Sequence, residues 1–340
     1  MRILFDIVHP AHALFFKNAI EQLHGEGAQI AIASRQKDVV VDLLDSWGFD
    51  HRPVSKSGRG VPKLAIELVK RDLAVLQMAR RFRPDVMVGF GGVAISHVGK
   101  LLGIPAIAFY DSDNATLQTS LTWPFITHVY APESYDGPLP AGRHSYFPGP
   151  KERAFLEHFV PDRGTALRCG YDESRDNFLV RTVNWNANHD LGKAGWDADT
   201  LRDLVATLSA HGRVHLSAEG ELPADLAPHA YQGRPEDLHH LMARCRAYVG
   251  ESMTMSRECA MLGVPALTQC ADSVGIAREM HAEGLVIGIV GGGREELMDG
   301  VSRLLAIDQT DYVKRRDAYL AKVGGLTDFV INAIRKAALS

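Results

Sequence analysis

Apolar residues along this chain come in two alternating forms: short unbroken runs, and longer stretches with apolar positions three and four apart. Strands of a parallel sheet covered on both faces read as the first, and helices lying on such a sheet as the second. Residues 2–8 form an apolar run broken only by Asp6, and 13–23 have helical period ending at Gly25 and Gly27. The alternation continues with a strand at 30–33, a helix at 37–47 and a strand at 49–54. A long helix at 62–82 has Arg80, Arg81 and Arg83 in and beyond its last turn, where cations complement the dipole. A strand at 85–88, a helix ending at Leu102, and strands at 104–109 and 126–130 complete the first half.

The pattern restarts with a strand at 178–183 and a helix from Asp199, then strands at 214–217 and near Tyr231 and a helix at 235–244. Ala247-Tyr248-Val249 predicts a strand that stops at Gly250; a helix-period segment then leads through Gly263 and Pro265 into another apolar run. A helix at 273–281, a strand at 285–289, and helices at 294–305 and 311–336 follow. The last breaks at Gly324-Gly325, and its final piece, 328–338, is amphipathic.

Two successive βα-alternating halves imply an α/β fold of two doubly wound, Rossmann-like domains with an interdomain cleft and C-terminal helices. Composition shifts towards Pro and Gly between Ala131 and Pro150, which puts the boundary between there and Tyr171. The expected domains are 1–160 and 171–325, with a helix at 326–340 that packs back on the first.

In such sheets ligands bind beyond the carboxyl ends of the strands. Three turns stand at such ends: His9-Pro10-Ala11-His12, Gly89-Phe90-Gly91-Gly92, and Gly250 to Ser256. Tyr110-Asp111-Ser112-Asp113-Asn114 is a further polar cluster, as is the stretch with Arg181, His189 and Asp190. The basic loop 55–60 reads either as a lid or as a solvated connection. At the Gly250 turn, Ser252, Thr254 or Ser256 caps a helix whose free N–H groups and dipole suit a phosphate, and Glu258 reads either as dipole partner or as a ligand to a ribose beyond it.

Composition narrows the function classes. Apolar residues make up 46% and charged residues 23%, as in soluble globular proteins, and the net charge of -4 gives no field for nucleic acid. Cys169, Cys245, Cys259 and Cys270 form no CxxC pair and no zinc-type spacing, so reduced thiols, no metal and a cytosolic setting are expected. Asp6 within the first apolar run argues for a strand and against a signal peptide, and no apolar run approaches a membrane span.

The run Gly233-Arg234-Pro235-Glu236-Asp237-Leu238, a helix, Gly250-Glu251-Ser252-Met253-Thr254-Met255-Ser256-Arg257-Glu258 and then Leu262-Gly263-Val264-Pro265-Ala266 resembles the GT-B superfamily. It is similar to the nucleotide-sugar half of the N-acetylglucosaminyltransferase that makes lipid II, and to a segment of UDP-N-acetylglucosamine 2-epimerases. Asp6, His9, Pro10, His12, Phe15 and Phe16 resemble the N-terminal pattern of a bacterial and archaeal GT-B-like domain of unknown function.

The resemblance implies transfer of a sugar from a nucleotide-diphosphate donor, UDP-linked, to a sugar or lipid-linked acceptor in cell-surface glycan synthesis. No cofactor beyond the donor is implied. Carried over residue by residue, the turn Gly250, Ser252, Met253 and Thr254 meets the diphosphate and Glu258 the ribose, with Arg181 and His189 beside them. His12 is the base, oriented by His9 or Asp6; Asp113 is a further catalytic candidate, and Gly91 and Gly92 belong to the acceptor side. The transferase loop has glycines where this chain has His9-Pro10-Ala11. A location peripheral to the inner membrane face is expected. The alternatives are a UDP-sugar 2-epimerase, hydrolysing or not, and a non-catalytic nucleotide-sugar-binding protein.

Overall fold

The computed structural model describes residues 1–36, 39–56, 61–113, 115–183, 195–270 and 275–339, with 61–64 described by backbone alone. The chain forms two compact units, residues 1–158 with 325–340, and residues 159–324.

In the first unit β1 (Arg2–Ile7), β2 (Gln29–Gln36), β3 (Arg52–Lys56), β4 (Val86–Phe90), β5 (Ala106–Phe109), β6 (His128–Pro132) and β7 (His144–Phe147) form a sheet of order β3-β2-β1-β4-β5-β6-β7. All recorded pairings are parallel. Helices α1 (Pro10–Gly25), α2 (Val40–Ser46), α3 (Val61–Phe82), α4 (Val93–Leu102), α5 (Thr116–Thr122) and α6 (Arg153–Leu156) connect or follow the strands. One face buries Phe5, Phe15, Phe16, Phe109 and Phe147, and the other Leu4, Met87, Ala108 and Val98.

In the second unit α7 (Arg163–Arg168) precedes β8 (Asp176–Thr182), α8 (Ala198–Ser209), β9 (Gly212–Ala218), α9 (Leu238–Met242) and β10 (Ala247–Gly250). Then come α10 (Met253–Met261), β11 (Ala266–Cys270), α11 (Gly275–Ala282), β12 (Val286–Val290), α12 (Arg294–Leu305) and α13 (Gln309–Val323). The sheet order is β12-β11-β10-β8-β9, again parallel. The 171–325 expectation omitted α7, which packs on α9 in this unit.

The chain returns to the first unit through α14 (Thr327–Ala338), whose Val330, Ile331, Ile334 and Ala337 are buried in the phenylalanine-rich core. Glu157 accepts the N–H groups of Leu326 at 2.8 Å and Thr327 at 2.7 Å, so a carboxylate from α6's end stands at the positive end of α14.

Several elements depart from the periodicity. The strand expected near Tyr231 reduces to one bridge, Leu216 to Ala230, because the chain turns away through Gly233 into a 3₁₀ turn at Pro235–Asp237. The expected strand at 49–54 lies at 52–56. The Pro- and Gly-rich stretch hides β7, a four-residue edge strand with Tyr146 47% exposed, so it lacks the unbroken apolar run that marks its neighbours.

Candidate functional site

Each sheet has one place where the chain order reverses, and at such a place the turns on either side leave in opposite directions and open a crevice. In the first unit it lies between β1 and β4, where Asp6 and Gly89 are register partners. In the second it lies between β8 and β10, where Arg181 and Gly250 are partners.

Beyond β1 the chain enters α1 at Pro10, whose ring pre-sets the first helical φ. His9 is the N-cap, and its Nδ1 accepts the Ala11 N–H at 3.2 Å. The segment expected as a turn before a helix at Ala13 is therefore the opening of the helix itself. His12 is its third residue; its ring stacks on Phe90 at 4.8 Å and lies 5.6 Å from the His9 ring. Asp6, 3% exposed, pairs with the buried Arg71 of α3. A carboxylate inside an apolar strand needs such a partner, and one from a helix far along the chain leaves no trace in periodicity.

Phe90 leads into Gly91 and Gly92, with φ of 79° and 66°. Gly91 donates its N–H to Phe109 O at 2.8 Å, and a Cβ there would meet Gln118 Nε2 at 2.0 Å. The left-handed backbone requires glycine and seats α4 directly after the turn. Sequence reasoning missed Lys151, which follows β7 just past the Pro- and Gly-rich stretch. Its Nζ pairs with Asp111 at 2.6 Å and lies 5.2 Å over the Phe90 ring. Burial raises the Tyr110 and Tyr135 phenols, Tyr135 to about 12, and the charges of Asp111 and part-exposed Asp113 add to it.

In the second unit β10 is buried throughout and ends at Gly250, where a Cβ would meet Tyr248 Oη at 2.2 Å. Tyr248 in turn donates to Ser252 O at 3.2 Å, which fixes the turn from below. Ser252 is the N-cap of α10, its Oγ accepting the Met255 N–H at 3.3 Å, while Met253 and Thr254 stand part-exposed in the first turn. The N-terminal N–H groups of α10 and its dipole thus lie at the strand-order reversal.

Glu258 lies sixth in α10, a turn deeper than its reading as first-turn dipole partner required. It is 6% exposed, and its Oε2 faces Nε2 of the buried His239 of α9 at 3.4 Å. Arg181 donates from Nη1 to Ser217 Oγ at 2.8 Å and from Nη2 to Glu219 at 2.5 Å, so its charge is shared with a protein carboxylate. Glu251, which sequence reasoning gave no role, accepts the N–H groups of Val183 at 3.0 Å and Trp196 at 2.9 Å. His189 and Asp190 fall outside the described residues, as do Asn114 and 57–60 of the basic loop. Among the described residues no three His, Cys, Asp or Glu side chains converge to hold a metal, and no helix is long and apolar enough to cross a membrane.

The whole chain superposes on a spinosyn rhamnosyltransferase, SpnG, complexed with thymidine diphosphate: TM-score 0.68, 14% identity, 98% of this chain and 100% of that one. The fold is that of GT-B glycosyltransferases.

Two further GT-B likenesses are as extensive. The glycosyltransferase SnogD from Streptomyces nogalater matches with TM-score 0.63 and 18% identity over 99% of each chain. UDP-GlcNAc 2-epimerase from Neisseria meningitidis, bound to UDP-GlcNAc, matches with TM-score 0.67 and 14% identity over all of both chains. Residues 1–138 match the family model described as protein of unknown function DUF354. No curated protein matches the chain by sequence.

Proposed function

We propose that this protein is a glycosyltransferase that moves a sugar from a nucleotide-diphosphate donor, UDP-linked, to a sugar or lipid-linked acceptor in glycan synthesis. The observation that carries the reading is the α10 N-terminus at the β8–β10 reversal, capped by Ser252 and held from beneath by Tyr248. Its N–H groups, with Arg181, would stabilise charge growing on the leaving diphosphate without a metal. Glu258 would accept the ribose hydroxyls. His12 takes the acceptor hydroxyl proton as the acceptor oxygen bonds to the anomeric carbon and the anomeric carbon–diphosphate bond breaks. SpnG bound to thymidine diphosphate and the Neisseria enzyme bound to UDP-GlcNAc support this donor class by analogy of fold.

A lipid-linked acceptor and peripheral contact with the inner membrane face, from the cytoplasm, find support in α3. Ile66, Val69 and Leu73 form a helical stripe and are 56%, 59% and 61% exposed, with Lys70, Arg80 and Arg81 exposed on the same helix. Calorimetry with UDP, GDP and dTDP, followed by product analysis with the matching sugar nucleotides, tests the main reading. No binding of any of them sinks it. Binding without turnover would leave a non-catalytic sugar-nucleotide protein, and deuterium entering the sugar C2 from solvent would identify an epimerase instead.

A further inference from the structure

The second unit contains a groove of about 450 Å³ between α10, α11 and the strands β11 and β12, within the size range of small-molecule sites (~300–1,000 Å³). Side chains alternate faces along a strand, and here Val286, Gly288 and Val290 of β12 turn towards the groove together with Thr268 of β11. β12 is the edge strand, and Val290 is 59% exposed although it lies over the sheet. Met253 and Met280 supply further apolar wall.

Two features show what such a groove would hold. Thr268 is 3% exposed, lines the groove, and its buried Oγ1 has no hydrogen-bond partner among the described residues. A buried hydroxyl left unpaired costs about 1–3 kcal/mol, so a polar atom arriving in the groove has a waiting partner. The charged side chains among the described lining residues are basic: Arg257 and Arg278, with His281 beside them. Arg278 and His281 stand three apart on α11, on one helical face.

We propose that this groove is a second ligand site, for a small aliphatic anion, whose chain lies on Val286, Val290, Met253 and Met280 and whose carboxylate or phosphate head meets Thr268 and the basic rim. It is separate from the diphosphate turn: Gly250, Ser252, Glu258 and Arg181 are not part of its lining, and Met253, in the first turn of α10, touches both.

Gly288 provides a clean probe. A Cβ there would meet only His281 Nδ1, at 3.9 Å, and the glycine is not in the left-handed region, so valine occupies the groove without strain and suits a strand. The full chain is titrated calorimetrically with decanoate, decyl phosphate and decanol. Saturable one-to-one binding of at least one anion is expected, at least tenfold tighter than decanol, and the tighter anion names the head group. Gly288→Val should weaken it tenfold or more with an unchanged melting temperature, Arg278→Glu about tenfold, and Thr268→Val a few-fold. Saturating UDP should not displace it. The proposal is overturned if neither anion binds saturably, if decanol binds as tightly, if Gly288→Val binds like the parent, or if UDP displaces the anion completely.

Discussion

At the strand-order reversal of the first unit the polar groups on offer are side chains; at that of the second they are the backbone N–H groups at the start of α10. His9, His12, Phe90, Asp111 and Lys151 gather around the ends of β1, β4, β5 and β7. Around β10 stands the part-exposed start of α10, with Arg181 paired to Glu219 and Glu258 facing His239 at 3.4 Å. A backbone site suits a ligand common to many donors, because N–H groups and a dipole recognise a diphosphate whatever is attached. A side-chain site can abstract a proton and can vary with the acceptor.

The comparison breaks most visibly at His12. Under the proposed reading His12→Ala lowers the transfer rate by about 10²–10⁴-fold while nucleotide affinity stays within twofold; affinity falling in parallel would remove the division between the units. Next in size, Asp6→Asn should destabilise the first unit by about 3–5 kcal/mol in urea unfolding, because it strands the buried Arg71. Loss of rate without loss of stability there would instead restore Asp6 to the catalytic group.

One histidine in each unit should answer oppositely to acid. His215 in β9, 4% exposed, donates Nε2–H to Asn177 Oδ1 at 2.9 Å, and burial pulls its pKa down from 6.5 to about 4. The unfolded histidine protonates first as pH falls, so the second unit loses roughly 3 kcal/mol between pH 6.5 and pH 4. His97 in α4 is raised above 6.5 by its hydrogen bond to Asp72, so its stabilisation is full below 6.5 and is lost as pH rises through the raised value. Urea unfolding of His215→Gln and His97→Gln across this range should flatten opposite limbs of the stability curve.

The smallest effects concern the turn at Gly250. Glu258→Ala should weaken nucleoside diphosphates about tenfold, the size of one or two lost charge-assisted hydrogen bonds. Gly250→Ala should push on Tyr248 and cost about 1–3 kcal/mol with a similar loss of affinity. An unchanged affinity in Glu258→Ala would mean that the carboxylate serves only His239.

Much of this was legible because the signals are local. The β1–α1 unit, the glycines after β4 and the strand–Gly250–Ser252–helix unit each fall within one stretch of chain, and the break at Gly324-Gly325 separates α13 from α14 where the glycines said it would. Lys151, Arg71 and His239 were not legible as partners. Each acts on a residue from a distant part of the chain, on Asp111, Asp6 and Glu258 in turn, and nothing in local period or spacing encodes the pairing. β7 escaped because a short, half-exposed edge strand has too little burial to stamp a pattern.

The sequence by itself determined two parallel α/β sheets and the turns that lie at their strand ends, because burial on both faces forces continuous apolar runs and helices force a 3.6 period. Only tertiary structure decided which polar groups near those strand ends meet a partner: Asp6 pairs with Arg71, Arg181 with Glu219, and the buried Thr268 hydroxyl has no hydrogen-bond partner among the described residues. Availability depends on which distant groups come within hydrogen-bond reach, and that is a property of packing.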